Sequence, residues 1–396
     1  MTYREELIRK SRVREAFAPN KPIDTIELFC GREDEVNRIV EGINTDGLHV
    51  LLYGDRGVGK TSLARITTVL MENHGNISAH YIKTCDNQDT FVTIVQTLFA
   101  KMGIRCVIKK SSSWDFSFLW NIFRIQNGTK TEYITADNIS SPSWVADKIE
   151  NQEGVFLIDE IDVLQDIADK HKIAQLIKQL SDKNSKLKIF IVGISRNAQE
   201  LLGGHPSVQR CIKEVRLDRM TSAELESIIE KGEERLNLPF SKEIRRVIVK
   251  ASAGFPFFTQ LLSLKSAEEA IVNNKNEVTM NEFKAAVKHA VDDLEGSLKE
   301  QYQRAIIGNN MDKKKNILLA AALCGEDIFS AKQLKYNYTK VTKVDISQPE
   351  LNKFLTGDII SSGFSTILQR VGKGVYRFND PRMPSYVKLK NNYIEE

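Results

Sequence analysis

"LLYGDRGVGKTSLARI", residues 51–66, decides the fold of this 396-residue chain. The stretch opens on an apolar run that reads as the end of a buried strand, "HVLLY" (49–53). Gly54, Asp55, Arg56, Gly57, Val58, Gly59, Lys60 and Thr61 follow, and a helical pattern begins at Thr61 and runs to about Asn73. Strand, G-x-x-x-x-G-K-T and helix in that order make a phosphate-binding loop. The glycines let the backbone wrap around phosphate oxygens. The loop N–H groups and the helix N-terminus supply partial positive charge. Lys60 is placed for the β- and γ-phosphates, the Thr61 hydroxyl for Mg²⁺, and Ser62 completes the cradle. A glycine-rich turn before a helix is the plainer alternative, but it does not account for the lysine and threonine at these positions. The stretch does not say what the nucleotide is for.

A second acidic element pairs with the loop. "GVFLIDEID" (154–162) carries four apolar residues into a core and brings Asp159 out at the strand end. Asp159 suits a magnesium ion held beside Thr61, and Glu160 is placed to polarise an attacking water. An acidic helix start is the alternative, since Asp and Glu are favoured there. A further strand, "LKIFIVGI" (187–194), ends at Ser195. In P-loop ATPases that insert such a strand between the other two, a polar residue at its end touches the attacking water, and Ser195 fits that role.

Outward from these motifs, short apolar runs alternate with helical spacing from residue 49 to 217. The strands are expected at 49–53, 79–83, 154–159, 187–194 and 213–217, with helices at 90–102 and 173–183. That alternation predicts a parallel sheet covered on both faces. The segment 106–142 is polar, with "SSSWDFSFLW" inside it, and reads as an insertion. From Thr221 to about Val291 only helical signals remain, opened by a capping box in "TSAELESIIEKGEERL" and punctuated by "GFPF" (254–257). Beyond residue 296 come more helices and one hairpin signal, "FSTILQRVGKGVYRFND".

Composition excludes several classes. The five cysteines, Cys30, Cys85, Cys106, Cys211 and Cys324, never form C-x-x-C, so neither a zinc cluster nor a disulfide framework is expected. The basic N-terminus lacks an apolar h-region and the longest apolar runs are short, so a cytoplasmic protein with no membrane span is expected. The net charge of +4 is unevenly distributed. Residues 300–396 hold 15 Lys+Arg against 10 Asp+Glu, and the rest of the chain 41 against 42. The positive excess is therefore C-terminal, either as a solvated surface or as a nucleic-acid footprint.

These residues together resemble the AAA+ ATPases, and within them the origin-recognition and cell-division-control initiator clade. "FCGREDEVNRIVEGI" (29–43) is similar to that clade's box, in which Gly31-Arg32-Glu33 opens a helix flanking the adenine. "HPSVQRCIKEVRLDRM" (205–220) resembles its arginine-finger segment, which makes Arg210 the residue that would act on a neighbouring subunit's nucleotide. An ordinary surface arginine is the alternative. The lid departs from the clade: "SAGFPFFTQLL" has no sensor arginine, and Gly254-Phe255-Pro256 resembles the Gly-x-Pro of signal-transduction ATPases with numerous domains. In those ATPases the proline packs near the adenine, and the departure suggests slow, switch-like hydrolysis. The C-terminal part resembles a winged helix, with "SQPELNKFLTGDI" at the recognition position. Lys353, Arg370, Lys373 and Arg377 would then be its DNA contacts.

The resemblance implies an α/β fold: a P-loop AAA+ parallel-sheet core (29–218), an N-terminal helical arm (1–28), an all-α lid (219–293) and a C-terminal winged helix (296–396). ATP and ADP, Mg²⁺, double-stranded DNA, an effector protein and further copies of the chain are its expected partners. Three readings stay open: a DNA-binding initiator-like switch, a signalling or defence ATPase whose C-terminal domain gates an effector, and a transposition-type regulator.

Overall fold

The computed structural model describes residues 3–20, 29–104, 136–195, 198–202, 206–294, 296–325, 327–356 and 367–393. They divide into two compact units. One comprises residues 32–54 and 60–217, the other residues 1–31, 55–59 and 218–396.

The first unit is built on five parallel strands: β1 (His49–Gly54), β2 (His80–Thr84), β3 (Gly154–Asp159), β4 (Leu187–Ile194) and β5 (Ile212–Leu217). Their spatial order is β2-β3-β4-β1-β5, so β4 lies between the loop strand and the Asp-Glu strand. The pairing runs Leu51↔Ile191 and Leu157↔Phe190 across the middle of the sheet. Phe156, Ile158, Ile189 and Ile191 join one large apolar cluster with Phe91, Leu98, Phe99, Ile173 and Ile177. The intervening Val155, Leu157, Phe190 and Val192 are just as buried without belonging to that cluster. Burial at every position is what parallel strands covered on both faces require, and it is why they appear as continuous apolar runs.

The helices depart from expectation in two places. The helix expected from 173 begins at Ile167, where the Asp166 carboxylate accepts the Ala168 N–H as an N-cap. Its first turn carries no apolar face and Ile167 is exposed, so periodicity could not reveal it. Of the expected insertion, residues 106–135 lie outside the described residues. Its tail departs from the expectation of a break: Ala136–Ile139 is helical and Ile139 enters the main core, and the helix Pro142–Ile149 that follows adds Val145 and Ile149.

The second unit contains the N-terminal helix Tyr3–Ala16 and the helices Ser222–Leu236, Lys242–Ser252, Pro256–Val272 and Met280–Asp293. Thr221 and Glu224 form the capping box that the sequence predicts. Phe17, just beyond the N-terminal helix, is fully buried against Gly232, where any Cβ would sit 2.0 Å from the ring. Further along come Met311–Ala322, β6 (Phe329–Ser330), Ala331–Thr342, Gln348–Thr356, β7 (Leu368–Gly372), β8 (Val375–Phe378) and Met383–Lys390. The three strands form an antiparallel sheet in the order β6-β8-β7, and Lys373-Gly374 make the hairpin turn.

Candidate functional site

In the first unit, β1, β4 and β3 are neighbours and parallel, so their C-terminal ends open on the same edge of the sheet. The loop leaves β1 there, Asp159 ends β3 and Ser195 follows β4. The pairing of Gly54 with Leu217 of β5 brings the backbones so close that a Cβ on Gly54 would lie 2.2 Å from the Leu217 carbonyl oxygen. Only glycine fits at this exit.

Lys60 opens the helix Lys60–Asn73 and is buried, its Nζ donating to the Gly54 carbonyl at 3.0 Å. The Thr61 hydroxyl donates to Asp159 Oδ1 at 3.3 Å. Asp159 is only 2% exposed. Burial pushes its carboxyl above the ordinary range, opposed by the Thr61 hydroxyl, the Glu160 N–H and the charges of Arg65 and Lys60. A half-buried pair of hard oxygen donors next to a buried ammonium and a glycine-lined loop fits a magnesium–nucleoside triphosphate.

Glu160 has a left-handed backbone, φ 60°, and its N–H donates to Asp159 Oδ1 at 3.0 Å. Its side chain is exposed. A non-glycine residue held at positive φ at the end of a buried strand is uncommon, and such strain gathers at functional positions. Ser195 is buried and its hydroxyl donates to Glu200 Oε2 at 2.7 Å. Asp162 ties the two strand ends together: its Oδ1 accepts the Ile194 N–H at 2.7 Å.

Arg210 closes the short 3₁₀ turn Pro206–Cys211 and is 70% exposed. Its guanidinium donates to Asp182 at 3.0 Å. An exposed pair of this kind holds the arginine weakly.

In the second unit, the loop residues 55–59 meet the start of the helix Pro256–Val272. Pro256 begins that helix, and its ring lies 3.8 Å from where a Gly59 Cβ would be. The four expected DNA contacts are on the helix Gln348–Thr356 and the β7–β8 hairpin. Lys353, Arg370 and Lys373 are exposed and Arg377 is half-buried. Arg377 donates to Gln369 across the hairpin at 2.9 Å.

Sequence reasoning missed Arg65, Asp162, Glu200, Asp380 and Arg382. Arg65 had a local signal: one helical turn beyond Thr61, it reaches the field of Asp159 while its Nε is buried without a hydrogen bond. The others are joined to the site only by the folded chain.

The model of the Novel STAND NTPase 1 family matches residues 21–320. No curated protein sequence matches the chain. Among solved structures, the Walker-type ATPase paby2304 of Pyrococcus abyssi is 18% identical with a TM-score of 0.53, the alignment covering 93% of this chain and 99% of that one. The Aeropyrum pernix ORC2 protein is 16% identical with a TM-score of 0.51, over 96% of this chain and 97% of that one. The Aeropyrum pernix ORC1 protein, solved in complex with DNA, is 16% identical with a TM-score of 0.50 over the same shares. The five-stranded parallel sheet and its loop are those of the P-loop AAA+ fold.

Proposed function

The chain belongs to the Novel STAND NTPase 1 family, and from that premise we propose that it is an ATP-binding and ATP-hydrolysing switch whose nucleotide state controls assembly and the engagement of a partner. The observation that carries this reading is the contact of Thr61 with Asp159 at 3.3 Å beside the buried Lys60. The adjacent Lys60 and Thr61 meet Asp159 from a distant strand at one sheet edge, with the chemistry a nucleoside triphosphate needs.

Gly54, Asp55, Arg56, Gly57, Val58 and Gly59 wrap the phosphates, and Ser62 follows in the helix. The Lys60 ammonium exchanges the Gly54 carbonyl for β- and γ-phosphate oxygens. Thr61 and Asp159 would hold Mg²⁺, which supplies charge neutralisation at those phosphates. Glu160 accepts the proton of the attacking water. Ser195 orients that water. Pro256 bears on the loop from the lid. Arg210, exposed and weakly held, reaches a neighbouring copy's nucleotide, so that ATP favours a homo-oligomer.

The signalling reading of this switch has specific support in the Gly254-Phe255-Pro256 lid and the family match. There the partner is an effector protein gated by the C-terminal segment. A DNA reading rests on a different observation. The order helix, β6, helix, helix, β7, β8 supports a winged-helix reading, in which Lys353, Arg370, Lys373 and Arg377 would line the DNA-facing elements. Double-stranded DNA would then be the partner of residues 296–396.

The test pairs two variants of the full chain. Lys60→Ala is expected to lose ATP binding by calorimetry. Glu160→Gln is expected to keep ATP binding and to lose about 10²–10⁴-fold in hydrolysis. Unchanged ATP affinity in Lys60→Ala, or full turnover in Glu160→Gln, would refute the site.

A further inference from the structure

Asp380 and Arg382 stand in the turn between β8 and the helix Met383–Lys390. Asp380 Oδ1 accepts the Arg382 backbone N–H at 2.9 Å and its Nε–H at 3.1 Å, while Oδ2 accepts from Nη2 at 2.9 Å. The guanidinium fork therefore grips both carboxylate oxygens. Arg382 is 2% and Asp380 8% exposed. A buried ion pair gives little net stability, because desolvation offsets its attraction. What it does well is hold a long side chain in one place.

The place it holds is the tip of the phosphate loop. A Cβ on Gly57 would sit 2.8 Å from Arg382 Cδ and 3.4 Å from Cγ. The arginine stem lies directly against that glycine, whose φ is +84°. On another side the ring of Phe255 comes within 3.7 Å of the same position. Phe255 is fully buried, and the Arg219 guanidinium lies over it, 4.7 Å from the ring centroid. Arg219 is in turn paired with Asp327, in the turn before β6. Gly57, Phe255, Arg219, Asp327, Asp380 and Arg382 all belong to one compact unit.

We propose that Arg382 is a positioning residue for the phosphate loop: its stem, anchored by Asp380, buttresses Gly57 and so sets nucleotide affinity from the C-terminal segment. The proposal rests on the reading of the loop as a nucleotide site. Loop N–H groups bind phosphate only while the tip keeps its concave shape. A tip that loses one wall samples other shapes, and affinity falls by the fraction of time it is misshapen. Phe255, with Arg219 over its ring, is a further neighbour of the same glycine.

The test uses the full chain, a fluorescent ATP analogue and ADP, with thermal unfolding measured in parallel without nucleotide. Arg382→Ala should weaken both nucleotides on the order of ten- to a hundredfold. That variant strands the Asp380 charge, so Asp380→Ala/Arg382→Ala is its companion. With no buried charge left over, the double variant should unfold at a higher temperature than Arg382→Ala, short of the wild type by the lost stem packing, and still bind nucleotide at least about tenfold more weakly. Arg382→Lys keeps the stem and a single charged contact to Asp380 but not the fork, and should recover part of the affinity. If the wild type binds neither nucleotide, the reading of the loop fails and the buttress with it. If the wild type binds and the folded double variant binds within twofold of it, the buttress alone is overturned. Failure of Arg382→Lys to recover any affinity would also overturn it.

Discussion

Strand β3 buries all six of its residues, whereas β7 buries one of five. The two strands belong to different sheets in different units, and each shows what its sheet can be used for. A parallel strand covered on both faces can present polar groups only where it leaves the core. Asp159 and Glu160 therefore stand at the end of β3, and Ser195 just beyond β4. The antiparallel hairpin leaves a face in solvent along its length, so Gln369, Arg370, Val371 and Lys373 are available for recognition rather than chemistry.

The largest expected effect probes whether the buried sheet's reactive rim is complete within one copy. Arg210→Ala is expected to leave ATP affinity unchanged and to lower turnover of the assembled protein by about 10³-fold or more. Turnover per chain should rise with wild-type concentration and stay flat in the variant. Mixing Arg210→Ala with Lys60→Ala should return part of the activity, since each supplies what the other lacks. Flat wild-type turnover from nanomolar to micromolar protein would make Arg210 an ordinary surface residue.

Next in size is the direct contrast between the sheets. Phe156→Ala empties a fully buried site in β3 and is expected to cost about 3–5 kcal/mol in denaturant unfolding. Val371→Ala, on the open hairpin, is expected to stay within about 0.5 kcal/mol. Equal costs would break the distinction drawn between the two sheets.

A third test uses pH. His49 begins β1 fully buried, and its Nδ1 accepts the Ile189 N–H at 2.8 Å. Burial, aided by the Lys188 charge, lowers the imidazole to about 3. The unfolded chain binds that proton near pH 6.5, so it takes up protons more readily than the folded one below that pH. The stability His49 contributes is present above about 6.5 and is lost as pH falls toward 3, by up to about 1.4 kcal/mol per pH unit. His49→Asn keeps an acceptor without the titration and should flatten that slope. An unchanged slope in the variant would assign the acid sensitivity elsewhere.

The smallest effect belongs to the hairpin. If β7–β8 meets DNA, Lys373→Ala should lower the slope of log affinity against log salt by about one unit, with little change in sequence preference. Salt-independent binding, or none, would favour the effector reading over DNA.

Much of the first unit could be read directly. β3 and β4 have the bounds expected from "GVFLID" and "LKIFIVGI", and the loop helix starts one residue earlier than expected. Thr61, Asp159 and Glu160 stand out in the sequence because the loop motif has a fixed internal spacing and an acidic pair ends an apolar strand, and the structure brings Thr61 and Asp159 into contact. The helix before Ile173 was hidden because its first turn buries nothing, and only the Asp166 cap marks it. Ser195 was legible by position, but its bond to Glu200 was not, since Glu at that spacing is common on any helix.

The sequence by itself determined the phosphate loop, the parallel strands and the uneven charge, because each is written in neighbouring residues as spacing, apolar run or composition. Tertiary structure alone decided that Leu217 of β5 closes on Gly54, that Asp162 ties the strand ends together, and that Arg382 lies against Gly57. The physical reason is the same in each case. Sheet order and the docking of a distant turn depend on which packing of the whole chain buries the most apolar surface while pairing every buried charge, and no local pattern carries that sum.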